Sequence, residues 1–576
     1  MGQLDRLSAL DATFLHQERE SSHMHIGGVG VFDGPCPSLD EFIEHLDARL
    51  SGLPRYRQKL MFGRLGPRWV DDDAFDLRYH VRSAALPSPA GDAELSTFVA
   101  LVAGQRLDRS RPLWEAWLVE AGPAHFALVF KSHHAMVDGV SNFDLATVLL
   151  DLEPNGVGGR PAATEPAGAA GVDVAGSPGR SGLSIAGAWS PLPAPSRGDL
   201  LFAEARDAVD TGLGLAGRAL GAALRPDRAV REAVEVGKGV GELAWAAMNP
   251  APETPLNVEI GPHRRYAVVH QSLSDYKAVK NAFGGTVNDV VLAVVAGSLR
   301  RWLLAHDVDV EGLELRALVP VSVRGEESHG SLGNQLSMLR APLPVYMADP
   351  VAALGVVREA MRGIKESRQA VAASQLTSAA SIAPPGVLAQ ASRLQFSTRL
   401  FNLLVTNIPG PQIPLYLLGR RVSSLYPLPF LAEHHGLAVA IISYDGQIEY
   451  GLLGDYNALG DLDLIADGIE ASLEELVAAA AASSAVRRSR ASRGPGSAVG
   501  AETVARAKVP VSAAKPATKR RAPPAKQSAG PKQGAPQASP EVENPELAPS
   551  DVPLMGSTTR RRSGPGSDMR AKRHSS

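Results

Sequence analysis

The chain has 576 residues, 44% of them hydrophobic and 21% charged, with a formal net charge of −3. That length exceeds one hydrophobic core and points to roughly two or three domains of a soluble protein. No run of about eighteen apolar residues escapes interruption by charge, and the first six residues lead into no signal-peptide core, so a cytoplasmic protein is expected, with any membrane contact peripheral; the single cysteine, Cys36, excludes an internal disulfide and a multi-cysteine metal site.

In chain order, residues 29–32 read as a strand, and residues 39–50 have apolar residues at helical spacing, closed by Gly52 and Pro54. Cys36 sits in Gly34-Pro35-Cys36-Pro37, a turn, where little supports a nucleophile. Arg55-Tyr56-Arg57-Gln58-Lys59 is a short basic run, expected to be a solvated face rather than a phosphate clamp. Pro112-Leu113-Trp114-Glu115 reads as a packing corner at which Trp114 buries its ring.

Residues 126–132 are apolar and aromatic enough for a strand, and helical spacing returns over 142–152. Between them, His133 and His134 precede Asp138-Gly139 by four to five residues. Neighbouring side chains of a strand point to opposite faces, so one histidine should face the interior and the other a cleft. Asp138-Gly139 can turn the chain back, its carboxylate fixing the loop. A neutral imidazole held in this way is a good general base near pH 7. A structural histidine pair and a zinc site are the competing readings. Catalytic zinc usually takes three protein ligands, and adjacent histidines with Asp138 are not a recognised ligand spacing, so no metal is expected. The Asp-Gly flank favours chemistry over a purely structural pair.

An N-terminal domain over 1–155 is followed by a linker over 156–198, rich in Gly, Pro, Ala and Ser. The remainder, 199–483, opens with helices over 200–224 and 229–248, broken at Pro226; they can lie on a membrane, but a crossover packed on the second domain is the expectation. Strand signals over 267–270, 314–321 and 403–407 then alternate with a long buried helix over 287–305, and 438–444 pairs with 447–453 as a hairpin across Asp445-Gly446. Asn288 and Asp289, at the start of that helix, either cap its N–H groups or shape a cleft. His434-His435 has no aspartate four residues on and receives no role. From 484 to 576 there are 18 Lys+Arg against 6 Asp+Glu, leaving 40 against 55 elsewhere. This tail, with almost no aromatics, is expected to be disordered, and to be either a solvated appendage or drawn to anionic lipid rather than nucleic acid.

His133-His134-Ala135-Met136-Val137-Asp138-Gly139 resembles the HHxxxDG motif of the CoA-dependent acyltransferase superfamily, which includes chloramphenicol acetyltransferases and peptide-synthetase condensation domains. Within it the chain is similar to the bacterial wax ester synthase/acyl-CoA:diacylglycerol acyltransferases. Leu10-Asp11-Ala12-Thr13-Phe14-Leu15, His23-Met24-His25-Ile26-Gly27, Arg111-Pro112-Leu113-Trp114-Glu115, Pro255-Leu256-Asn257, the stretch from Thr286 through Asn288-Asp289 to Ala293, Leu332-Gly333-Asn334-Gln335 and Thr406-Asn407-Ile408-Pro409-Gly410-Pro411 carry that narrower likeness, which runs from about Leu7 to Val477.

The resemblance implies an α/β fold of two chloramphenicol-acetyltransferase-like halves meeting at a central cleft or tunnel. It implies transfer of a long-chain acyl group from acyl-CoA, a co-substrate, to the hydroxyl of diacylglycerol or a fatty alcohol, with no bound cofactor and no acyl-enzyme. His134 would be the general base and His133 its support, with Asp138 holding the loop beside Gly139, and with Pro112, Leu113, Trp114, Asn288 and Asp289 as motif residues. CoA phosphate ligands and oxyanion donors are not assigned by sequence. A different hydroxyl or amine acceptor, or an inactive lipid-binding paralogue, are the rival readings, and the intact motifs argue against inactivity. The basic tail suggests peripheral contact with the inner membrane or lipid inclusions.

Overall fold

Two sheets, one per half, form the framework. The computed structural model describes residues 5–50, 53–63, 66–136, 149–154, 191–224, 249–322, 336–366 and 396–492. Asp138 and Gly139, 142–148 of the helix expected over 142–152, the linker expected over 156–198 as far as 190, the second crossover helix, residues 332–335 and the tail beyond Ser492 lie outside them; 484–492, expected to begin the disordered tail, instead continue a helix that runs Leu462–Ser492.

The first half contributes α1 (Ala9–Gln17), β1 (His25–Asp33), α2 (Leu39–Leu50), β2 (Gln58–Gly63), β3 (Gly66–Asp71), α3 (Leu77–His80), β4 (Val81–Ala85), α4 (Asp92–Gly104), β5 (Trp114–Glu120) and β6 (His125–His133), which runs into a 3-10 turn, His134–Met136. Ser8 caps α1 by accepting the Asp11 N–H at 3.0 Å. α2 buries Phe42, Leu46 and Leu50, one face at four-residue spacing, and occupies the residues predicted for it.

The second half contributes α5 (Arg197–Leu224), β7 (Arg264–Ser272), α6 (Leu273–Phe283), α7 (Val287–Ala305), β8 (Leu315–Ser322), β9 (Leu336–Leu343), α8 (Pro350–Glu366), β10 (Leu403–Pro409), β11 (Tyr416–Leu417), β12 (Arg420–Leu428), β13 (Leu437–Tyr444), β14 (Gln447–Asp455) and α9 (Leu462–Ser492). α7 is apolar nearly all round and is buried accordingly, against α9 and the sheet. Its close approach to α9 uses small residues: a Cβ on Gly297 would lie 2.7 Å from Ser472 Oγ, and one on Gly468 the same distance from Ser298 Oγ. The predicted hairpin is β13–β14, with Asp445 and Gly446 at φ of 41° and 82°, the left-handed values that a two-residue turn requires.

The first sheet has the order β11-β12-β1-β6-β5-β4 and the second β7-β14-β13-β10-β8-β9. β12 of the second half pairs antiparallel with β1, from Gly27↔Leu428 to Phe32↔Val422, and so completes the first sheet. The sequence division near residue 155 gives no hint of this exchange. It brings the chain after Leu428 over the end of β1, where the histidines lie, and Tyr266 of β7 seals the seam by donating to the Pro427 carbonyl at 2.9 Å.

Two expectations are corrected. The basic run is not a solvated face: Arg57 is buried and paired with Asp47 at 2.8 Å, Lys59 bonds Asp72 and Asp73 at 2.8 and 3.0 Å, and Arg55 lies over the Trp69 ring. Carboxylates 10 to 14 residues away recruit Arg57 and Lys59, a pairing that periodicity cannot register. Likewise, among the described residues, α5 meets the first half: it contacts β2, Asp207 forms an ion pair with Arg68 of β3, and Glu204 is buried beside Gly63.

Candidate active site

β6 ends at His133, whose N–H donates to the Leu113 carbonyl at 2.9 Å and which stands opposite His25 of β1. The Pro112-Leu113-Trp114 corner thus reaches the site through its backbone. Trp114 is buried, donates from Nε1 to the Tyr56 carbonyl at 2.8 Å and stacks on His80, whose Nδ1 lies 2.8 Å from the Trp114 carbonyl. Beneath the same strand Lys131, fully buried, donates to the Val102 and Gln105 carbonyls at 2.7 and 2.8 Å and pairs with Glu115 at 2.7 Å. It binds carbonyls at the C-terminal end of α4, of which Val102 also accepts the Gln105 N–H, and pins that helix to β6. Burial lowers its pKa.

The His133 ring points inward and is 1% exposed. Its Nδ1 accepts the Ala135 N–H at 3.0 Å, which puts the ring proton on Nε2, 3.2 Å from Glu18 Oε2. Both ring nitrogens are thereby engaged. Glu18 follows α1 and is as deeply buried; burial alone would raise its pKa, but the His133 N–H, the Arg106 guanidinium at 2.9 Å and the Arg109 guanidinium bring it down to about 2. Burial keeps His133 itself below the ordinary imidazole value. The pair is therefore an ionised carboxylate accepting from a neutral imidazole, its charge balanced by two arginines.

His134 faces the other way. Its N–H donates to the Met24 carbonyl at 2.9 Å, and its ring stacks on Phe14 of α1, with centroids 3.8 Å apart and planes at 13°. Phe430, from the segment after β12, meets the ring edge-on at 5.7 Å. A residue from each half thus encloses His134. Burial against these rings pushes its pKa down to about 4, against the smaller opposing effect of a hydrogen bond to its own backbone, so the imidazole is neutral across the physiological range, and its Nδ1 is enclosed. A neutral imidazole fixed at its backbone and one face is suited to accepting a proton from a hydroxyl.

Asn288 and Asp289 divide their roles. Asp289 Oδ2 accepts the Thr286 N–H at 2.7 Å and Thr286 Oγ1 accepts the Asp289 N–H, which caps α7. Asn288 Oδ1 instead accepts from Asn407 Nδ2 at 3.2 Å, tying α7 to β10 and joining two of the motif stretches. Cys36 lines a cavity of about 540 Å³ with Glu120 and Ser83. That cavity lies toward the Glu120↔Phe126 end of β5 and β6, whereas Ser132 and His133 lie at the other, and both burial and Glu120 raise the Cys36 pKa, disfavouring the thiolate. Among the described residues no group of three His, Cys, Asp or Glu side chains has the arrangement of a metal site.

Glu18, Arg106, Arg109 and Phe430 were not singled out by sequence. Glu18 lies 115 residues before His133, and no local pattern joins them. Phe14 lies inside one of the quoted stretches, but without any sign that its ring covers a histidine.

The catalytic-domain model of wax ester synthase/diacylglycerol acyltransferases matches residues 7–291, and the C-terminal-domain model of the same family matches 332–477. A Mycobacterium tuberculosis protein named as a probable diacylglycerol O-acyltransferase, tgs1, is 31% identical over 484 residues, 82% of this chain and 96% of the relative. The chain belongs to this family. The solved wax ester synthase/diacylglycerol acyltransferase from Marinobacter aquaeolei VT8 superposes with a TM-score of 0.57 at 27% identity, over 83% of this chain and 100% of that one. A trichothecene 15-O-acetyltransferase from Fusarium sporotrichioides, at 11% identity and a TM-score of 0.50 over 82% of this chain and 94% of its own, shares the fold. As a wax ester synthase/diacylglycerol acyltransferase family member, the chain is a two-domain mixed α/β O-acyltransferase that moves an acyl group from acyl-CoA to an acceptor alcohol.

Proposed function

We propose that His134 is the general base of this transfer and that the principal acceptor is diacylglycerol, with a fatty alcohol as the second. The observation that carries the base assignment is the neutral His134 ring held between Phe14 and Phe430. In this scheme Nε2, the nitrogen opposite the enclosed Nδ1, serves as the base. It takes the hydroxyl proton as the oxygen attacks the thioester carbonyl carbon. The tetrahedral intermediate then collapses by breaking the carbon–sulfur bond, and the proton on His134 passes to the departing CoA thiolate, so ester and CoA–SH are formed and the imidazole is neutral again. His133 and Glu18 touch no substrate in this scheme; they fix the chain end from which His134 projects.

Diacylglycerol as acceptor is supported by the names of the mycobacterial relatives. The test is a panel of acceptors with radiolabelled palmitoyl-CoA. Label should enter triacylglycerol from diacylglycerol and wax ester from a long-chain alcohol, and label appearing only in amide from an amine would overturn the assignment. Contact with anionic lipid through the basic tail, at a membrane or lipid inclusion, belongs to the same proposal. Its support is the surplus of 18 Lys+Arg over 6 Asp+Glu after residue 483.

A further inference from the structure

Between Glu18 and the start of β1 the chain passes through Ser21, Ser22, His23 and Met24, and three of these four are anchored to other parts of the molecule. Arg264, at the start of β7, donates to the Ser21 carbonyl while also holding the Gly261 and His263 carbonyls at 2.6 and 2.9 Å. Ser22, fully buried, donates from Oγ to the Leu431 carbonyl at 2.8 Å. Met24 presents its carbonyl to the His134 N–H at 2.9 Å. His23 closes the segment on itself, with Nε2 2.7 Å from the Glu20 carbonyl.

Met24 adopts a φ of 54°, in the left-handed region, although it is not glycine and its side chain is buried. Such a conformation persists only where the surroundings over-determine it. Here it directs the Met24 carbonyl at the residue where β6 gives way to the turn that carries His134. Leu431 adjoins Phe430, the ring that meets His134 edge-on. One short segment therefore holds the backbone of His134 through Met24 and the cover of its ring through Ser22, while Arg264 ties the segment to the second half.

We infer that Ser22 and Met24 are positioning residues for acyl transfer, setting the orientation of His134 and of Phe430 together, so that the seam between the halves is closed when the base is aligned. The inference rests on the reading of His134 as the base. A misplacement of the order of 1 Å in a reacting group can cost about a hundredfold in rate without any change in what binds. The signature is thus a fall in kcat with KM for acyl-CoA unchanged, and non-additivity between Ser22 and Phe430.

The experiment is steady-state kinetics on the full chain with palmitoyl-CoA and diacylglycerol for Ser22→Ala, Phe430→Ala, their double variant, Met24→Gly, Met24→Val and His134→Ala. Ser22→Ala should lower kcat about tenfold with KM within about twofold, and should add less than about twofold in the Phe430→Ala background. Met24→Gly, which accepts the left-handed conformation, should keep kcat within about threefold even as Tm falls; Met24→Val, which resists it, should lose at least about tenfold. If the valine variant does not fold, the Ser22–Phe430 cycle decides. Wild-type kcat in Ser22→Ala, or full additivity with Phe430→Ala, overturns the positioning role. If His134→Ala itself turns over normally, the base assignment fails and the positioning role with it, whereas an inactive His134→Ala beside a fully active Ser22→Ala removes the positioning role alone.

Discussion

At the scale of single residues, environment decides which histidine does chemistry. His133 has both nitrogens committed, and His134 has its proton affinity depressed by two phenyl rings. With a folded pKa of about 4 against an ordinary value of 6.5, His134 is a competent base well below neutrality, so the acid limb of kcat/KM should fall near pH 4 to 5. A pH-rate profile with an acid limb near 6.5 would contradict this environment. The linkage has a definite sign: between pH 6.5 and about 4 the unfolded chain binds the proton that folded His134 refuses, so this residue makes the protein lose stability as pH falls through that window. Glu449 acts in the opposite sense. It is buried in β14, pairs with His270 at 2.8 Å, and burial raises its pKa to about 7 despite that histidine. The folded state then binds more protons than the unfolded one between pH 4.5 and about 7, and stability falls as pH rises across that range. Glu449→Gln should therefore raise Tm relative to wild type at pH 8 and change it little at pH 5. Equal effects at the two pH values would contradict the shift.

At the scale of elements, local pattern and distant pairing divide what was legible. α2 and α7 fall on the residues predicted from apolar spacing, and the β13–β14 hairpin falls where Asp445-Gly446 announces it, because those signals are short-range. The strand that ends at His133 was visible for the same reason. What places His134 against its covers was not: β12 joins β1 across nearly four hundred residues, and Glu18 meets His133 through a contact with no periodic trace. The basic run misled because each cation is matched by a carboxylate from elsewhere. Lys131 belongs to the same class of hidden contact. Replacing it with methionine leaves Glu115 with Arg82 at 3.5 Å as its cation and takes the buried ammonium from the Val102 and Gln105 carbonyls, a loss expected to cost about 2 to 4 kcal/mol. Urea denaturation measures it, and a cost below about 1 kcal/mol would show that Lys131 does not pin α4 to β6.

At the scale of the whole molecule, the first sheet is finished by the second half, and the imidazole lies at the seam this creates. The exchange of β11 and β12 makes the two halves interdependent, so the first half alone lacks both the completing strands and Phe430. The surplus of positive charge after residue 483, most of it beyond the end of α9 at Ser492, is expected to act on association rather than turnover. Deleting 484–576 should weaken flotation with anionic vesicles, most at low ionic strength, at roughly 1 kcal/mol per basic residue that reaches the surface, and leave turnover of soluble substrate unchanged. Equal flotation of the truncated and full chains at low salt would remove the tail from the account.

The most direct test of the central claim is turnover by His134→Ala, measured beside its Tm, its binding of acyl-CoA, and the intact mass of wild-type enzyme quenched during turnover. A positioned general base contributes about 10² to 10⁴ in rate. The variant should fold, bind acyl-CoA and turn over at least about a hundredfold more slowly, while the quenched wild-type enzyme carries no acyl adduct. A folded His134→Ala protein within about tenfold of wild-type turnover, or an acyl group found on any side chain, would contradict direct transfer by a histidine base.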